Sequence, residues 1–460
     1  MTEGGQANGD QPQRTQPAAN DPALAQLWRQ AVSLYRAARW REALAACRKL
    51  LAALPSQPAV LGLAGLLALQ LDDAAEAVAF LAFAVKLKPD AADLRYNLAN
   101  ALRRLGRTEE AIATYRRAAA YGPDILPIWN NLGAALQSLG RHVEAAEAFR
   151  QALRLAPDDA ELHRNLGIAL EGAGQLDDAI AAYRRALVLK PGWPQIYRNL
   201  TNSLLTAQDA RGTIALCDAW LDIEPGALEA IGLKAVALDE IGDRAGARRL
   251  VDLDRFLRRV AITAPPPGYT SIDAFNAALM QHLLADPTLA VPGRSDVHYH
   301  GPAFRTTGEL FDRPSGPLVA LEALIRAQIA DYFAAVAQLS PDHPYLARPP
   351  RRWRPIAQAT VLDRDGSLAP HVHYSGYVSG VYYVRIPVFA AGAQADHAGW
   401  FEIGRPPPRF HHAGRPDVRF IEPREGVMLL FPSYFYHSTV AFSAAETRIS
   451  VAFDALPEPG

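Results

Sequence analysis

The sequence predicts a two-part chain, an all-α solenoid followed by an antiparallel β-domain of sandwich or barrel type. Three observations predict it. Prolines recur at Pro55, Pro89, Pro123, Pro157, Pro191 and Pro225, each step being 34 residues. Ten of the 12 histidines lie after residue 280. From Arg354 onward, short β-branched and aromatic runs alternate with Pro and Gly, which is strand-and-turn patterning.

The proline period is one of several in register. Gly106, Gly140 and Gly174 keep it, as do Gly133 and Gly167, Ala77, Ala111, Ala145 and Ala179, and Tyr115, Phe149 and Tyr183. Small residues at fixed places let paired helices approach, glycine turns the chain, and proline ends each unit. A 34-residue helix–turn–helix period resembles the tetratricopeptide repeat, and about seven units fit between Leu27 and Phe256. Asn97, Asn131, Asn165 and Asn199 are also 34 apart. An asparagine offers both donor and acceptor, so a ladder of them is a candidate peptide-binding groove on the concave face. The alternative is that each bonds within its own unit.

Composition narrows the class. The chain has 460 residues, 47 basic against 48 acidic, and a net charge of −1. That gives no basic surface for nucleic acid and no basic membrane patch. No apolar run is long enough to span a bilayer. Cys47 and Cys217 are the only cysteines, which excludes a disulfide framework and a cysteine zinc site and fits a reducing cytoplasm. The polar first residues lack the apolar core of a signal peptide and read as a disordered tail.

The expected divisions are a tail over 1–22, a solenoid over 23–260, a linker with supporting helices over 261–352, and the β-domain over 353–460. RRLVDLDRFLRRV reads as a helical close to the array, followed by the break AITAPPPGYTS. Residues 272–288 and 317–338 read as helices, with a strand in RSDVHYHGPAF between them.

Three signals in the β-domain carry chemistry. His371 and His373 stand two apart at a strand, so both imidazoles face one side. His437 lies 64 residues beyond His373 in an apolar, aromatic run, where a ring nitrogen needs a partner. Arg448 and Ser450 share a strand face, and a guanidinium directed into an apolar barrel needs an anion such as a carboxylate. The plainer readings are a solvated His pair, a satisfied core histidine and an exposed edge arginine.

Together HVH, SGVYY, FPS, His437 and RIS resemble the pattern of a 2-oxoglutarate oxygenase family, over about Ala357 to Leu456. The resemblance implies a double-stranded β-helix (jelly-roll) fold and an iron(II)/2-oxoglutarate-dependent dioxygenase activity, with ascorbate as the reductant in vitro. It implies a metal site of His371, His373 and His437, with Arg448 and Ser450 holding the far carboxylate of 2-oxoglutarate. Most of that class has Asp or Glu where this chain has His373. The site then has three histidines, or a carboxylate from Asp363, Asp365, Asp396 or Glu402 completes it, or it is weak or lost.

Of Tyr382 and Tyr383, one faces the interior, either bonding the co-substrate or filling the core, and core filling is the expectation. His298 and His300 form a second His-x-His pair, which could line the substrate mouth or bind a metal. His411 and His412 read as solvated. The function expected is a hydroxylase acting on a protein or peptide recruited by the repeats. The alternative is a non-enzymatic scaffold with a degenerate β-helix domain. A transferase is disfavoured, because the second half shows neither a Gly-rich phosphate cradle nor alternating strands and helices.

Overall fold

The computed structural model describes residues 21–293, 298–339, 342–363, 366–387, 397–410, 413–444 and 446–458. The tail expected over 1–22 lies almost wholly outside them, and so do Asp365, Asp396, His411 and His412. Packing groups the chain into two compact units, Met1–Ile196 and Tyr197–Gly460.

The first unit is a run of paired helices: α1 (Pro22–Arg36), α2 (Trp40–Ala53), α3 (Pro58–Gln70), α4 (Ala74–Leu87), α5 (Ala92–Arg104), α6 (Thr108–Tyr121), α7 (Leu126–Ser138), α8 (His142–Leu155), α9 (Ala160–Gly172) and α10 (Leu176–Leu189). Each even-numbered helix stops just before a repeat proline. The capping residues Leu54, Lys88, Gly122, Ala156 and Lys190 have φ between −132° and −142°. The ring of the following proline clashes with helical backbone at the residue before it, so the helix ends there. Within each pair the turn needs a left-handed residue. Gly106, Gly140 and Gly174 supply it, and Ala38 and Asp72 adopt it without being glycine. Gly133 and Gly167 let helices touch, because a Cβ there would lie 2.8 Å from the Phe149 ring and 2.5 Å from the Tyr183 ring.

The division falls within α11 (Pro194–Thr206), and the second unit continues with α12 (Ala210–Ile223), α13 (Leu228–Glu240), α14 (Arg244–Leu250) and α15 (Leu253–Phe256). The stretch read as a helical close does not end as helix. Its last residues form β1 (Arg258–Ala261), an edge strand paired antiparallel with β10 (Val427–Pro432). Two further helices, α16 (Ile272–Leu284) and α17 (Pro317–Val336), follow.

The remaining strands are β2 (Leu289–Ala290), β3 (Tyr299–His300), β4 (Ala303–Thr306), β5 (Trp353–Leu362), β6 (Ser367–His371), β7 (Val378–Arg385), β8 (Phe401–Ile403), β9 (Arg419–Ile421), β11 (His437–Thr439) and β12 (Arg448–Pro457). They form two antiparallel sheets, ordered β1-β10-β7-β12-β5-β4-β2 and β3-β6-β11-β8-β9. One core joins α13, α15, α16, α17 and the larger sheet through Ile231, Leu253, Phe256, Phe275, Ile325, Tyr345, Phe431 and Tyr434. Among the described residues no helix is long and apolar enough to cross a membrane.

Candidate metal centre and its cavity

The smaller sheet brings two histidines side by side. His371 ends β6, His437 opens β11, and the two are direct cross-strand partners. The register of β11 shifts between His437 and Thr439, an irregularity of the kind that re-aims a side chain near a site. His373 lies just past β6, where its N–H donates to the Ser433 carbonyl at 3.0 Å. The three rings stand 4.3 to 5.2 Å apart, centre to centre. One nitrogen from each falls within 4.8 Å of the others, the only such His/Cys/Asp/Glu cluster among the described residues.

The outward-facing nitrogens are all engaged. His371 Nδ1 meets the Ala369 carbonyl at 2.9 Å, and His437 Nδ1 meets the Phe435 carbonyl at 3.0 Å. A carbonyl only accepts, so both Nδ1 atoms carry the proton and each Nε2 keeps a lone pair. Burial, then the neighbouring imidazoles, hold His371 well below the ordinary histidine range. Burial, followed by His373, brings His437 down to about 3. Two neutral imidazoles therefore present lone pairs to one point, and a third ring joins them. Imidazole lone pairs that converge without a shared proton suit a divalent cation, so the residues present fit a metal.

Behind the histidines is a cavity of about 450 Å³, lined from both sheets. On β12, alternate residues Arg448, Ser450, Ala452 and Asp454 line it, and β5 contributes Gln358 and Thr360 beside them. Arg448 is buried at 2 % exposure. Its Nη1 donates to the Gly399 carbonyl at 2.7 Å, and its Nε has no partner among the described residues. No described carboxylate pairs with it, and burial lowers its pKa. An unpaired buried guanidinium costs several kcal/mol, so this cavity favours an anion.

Tyr383 is the register neighbour of Ser450, and Arg448 lies 5.3 Å from the centre of its ring. Its hydroxyl is buried without a partner among the described residues. Burial raises it to about 12, with the Arg448 charge opposing. Tyr382 points the other way and donates to Asn276 Oδ1 at 2.7 Å.

A family of proteins described as "Putative 2OG-Fe(II) oxygenase" matches residues 358–454, the span that holds the three histidines, Tyr383, Arg448 and Ser450. Tetratricopeptide-repeat families match residues 29–91, 68–136 and 124–190. The chain is a tetratricopeptide-repeat protein with a C-terminal domain of this oxygenase family. That family implies Fe(II) and 2-oxoglutarate. No curated protein matches the chain. A repeat protein from Cytophaga hutchinsonii is 18% identical over 49% of this chain and 93% of its own, with a TM-score of 0.44. A thermophilic repeat protein from Thermus thermophilus is 24% identical over 40% of this chain and 99% of its own, with a TM-score of 0.30. YrrB, a repeat protein with an unusual peptide-binding site, is 21% identical over 41% of this chain and 97% of its own, with a TM-score of 0.38.

Other expected residues of the oxygenase domain fall as follows. Glu402 is buried, accepts from Arg405 at 2.5 Å and from Ser438 at 2.8 Å, and is not grouped with the histidines. Asp363 lies in the turn after β5, with its carbonyl accepting from Gly366. His298 stacks on His371 at 4.6 Å and lines the cavity, while His300 is exposed. Sequence reasoning missed Asp454, whose two carboxylate oxygens lie 3.0 Å from His373 Nδ1. Strand parity carried a signal for it, since Asp454 shares the face of Arg448 and Ser450.

In the repeats, Asn97 is buried. Asn131 donates to Tyr96 Oη at 3.1 Å and to Asn100 Oδ1 at 3.0 Å, both on the preceding repeat. Asn165 accepts from Arg164 at 3.3 Å, and Asn199 is half-buried.

Proposed function

We propose that the chain is an iron(II)/2-oxoglutarate-dependent dioxygenase that hydroxylates a protein or peptide recruited by its repeat array. The observation that carries this reading is a buried arginine without a carboxylate in the cavity where three histidines converge.

His371, His373 and His437 would hold the iron through Nε2. Iron(II) held there, with 2-oxoglutarate and O₂ as co-substrates, would supply hydroxylation of a substrate C–H bond coupled to loss of CO₂ and formation of succinate. Arg448 would take the far carboxylate of 2-oxoglutarate, a charge-assisted contact that its free Nε invites. Ser450 and Tyr383 add hydroxyl groups on the same face. Arg448, Ser450 and Tyr383 are buried away from bulk water, which strengthens each of these contacts.

A groove containing Asn97, Asn131, Asn165 and Asn199 would hold an extended segment of the substrate. The repeats support this partner class, since such arrays are interaction surfaces.

Purified protein with Fe(II), ascorbate and 2-oxoglutarate is expected to release succinate, slowly without substrate. His437→Ala and Arg448→Ala are expected to abolish it. Asn131→Ala combined with Asn165→Ala is expected to weaken substrate capture while sparing the fold. A wild-type chain that neither retains Fe(II) nor forms succinate would overturn the proposal.

A further inference from the structure

The far side of His373 joins two motifs to which no role has yet been given, the serines of SGVYY and FPS. Each oxygen of the Asp454 carboxylate lies 3.0 Å from His373 Nδ1. Ser379 Oγ donates to Asp454 Oδ1 at 2.5 Å. The Ser379 and Ser433 hydroxyls are 2.9 Å apart. The Ser433 carbonyl in turn accepts the His373 N–H. Gly376 closes the group from one side: a Cβ there would lie 2.9 Å from Asp454 Cβ and 3.1 Å from Ser433 Oγ. Residues remote along the chain thus fix one carboxylate against one imidazole.

The chemistry gives this arrangement a purpose. A site of three neutral imidazoles leaves a divalent cation one charge more positive than two imidazoles and a carboxylate do. A carboxylate accepting the Nδ1–H of a ligating histidine fixes the ring and makes its Nε2 a stronger donor. We propose that Asp454, held by Ser379 and Ser433, is the positioning carboxylate of the metal centre, supplying through His373 the negative charge that a carboxylate ligand would bring directly. This rests on the reading of His373 as a ligand. It also gives the two motif serines a function, which is to hold Asp454 in place.

The test uses the full chain with Co(II) as the probe, followed by titration calorimetry and visible absorption. Asp454→Asn is expected to lower Co(II) affinity about 10- to 100-fold. The Co(II) absorption bands are expected to change, while metal-free protein melts close to the wild type. Ser379→Ala is expected to lower affinity less, and Asp454→Glu to restore part of it. If Asp454→Asn does not fold, Ser379→Ala carries the test. Wild-type Co(II) affinity and spectrum in Asp454→Asn, with affinity lost in His373→Ala, would overturn this inference alone. Wild-type affinity in His373→Ala would overturn the reading of His373 as a ligand, and this inference with it.

Discussion

Arg448 and His343 are both buried, and their environments ask different things of them. Arg448 has one hydrogen bond, to Gly399, and an Nε with nothing to donate to among the described residues. A second bond from that fork to a carboxylate contributes about 1.5–3 kcal/mol. Arg448→Lys keeps the charge and loses the planar fork. The half-saturating concentration of 2-oxoglutarate is therefore expected to rise at least about tenfold, while Co(II) affinity stays unchanged. Titrating succinate release against 2-oxoglutarate checks this, and an unmoved half-saturation point would remove Arg448 from the co-substrate site. His343 is packed edge-on against Phe256, and its Nδ1 accepts the Tyr345 N–H. Burial lowers its pKa, so the neutral ring is the native form. A depressed folded pKa leaves stability intact above the unfolded value of about 6.5 and lost as pH falls below it. His343→Asn keeps an acceptor for Tyr345 and cannot titrate. Urea unfolding at falling pH should show the variant losing less stability than the wild type, and parallel losses would count against this role.

At the scale of elements, the 34-residue period was legible because each unit repeats the same steric problem. Proline stops one helix, and a left-handed residue turns between two. The sequence showed the second need only where glycine meets it. Ala38, Asp72 and Gln208 also sit at φ of 55° to 61°, in step with Gly106, Gly140 and Gly174. Their residue types do not announce it, since neighbouring turns impose the conformation. A left-handed residue with a Cβ costs roughly 1–2 kcal/mol. Gly140→Ala should therefore destabilise the array by about 1 kcal/mol, and Ala38→Gly should stabilise it by a similar or smaller amount, since glycine loses more freedom on folding. Chemical denaturation measures both, and equal stabilities would show that the turns are not strained. In the β-domain, strand parity made the face of Arg448 and Ser450 readable. The pairing of Asp454 with His373 was hidden, because it depends on which strands meet and the two residues are 81 apart. The end of RRLVDLDRFLRRV was misread as helix, because its apolar spacing fits helix while its pairing with β10 is a tertiary fact.

For the molecule as a whole, the motif boundary near residue 261 and the packing boundary after Ile196 divide the chain differently. The last repeats share a core with the oxygenase domain. Ile231, Leu253 and Phe256 are at most 2 % exposed within it, and Leu250 is 9 % exposed. Hydrogen bonds add to this: Tyr434 donates to the Leu250 carbonyl at 2.6 Å, and Tyr332 donates to the Phe256 carbonyl at 2.9 Å. Burying each of the four apolar side chains contributes about 1.5–3 kcal/mol. Together they reach the order of a domain's entire stability, about 5–15 kcal/mol. Removing α11–α15 would also leave two buried tyrosine hydroxyls without acceptors, at about 1–3 kcal/mol each, and would take most of β1 from the sheet edge. A fragment of residues 261–460 is therefore expected not to fold, while residues 191–460, which keep α11 whole, should unfold cooperatively. Thermal melting followed by near-ultraviolet circular dichroism checks this, because it reports fixed packing of the buried tyrosines. A cooperative transition in the shorter fragment would show that the oxygenase domain stands without the last repeats, and that their shared core is a convenience of packing and no condition of the fold.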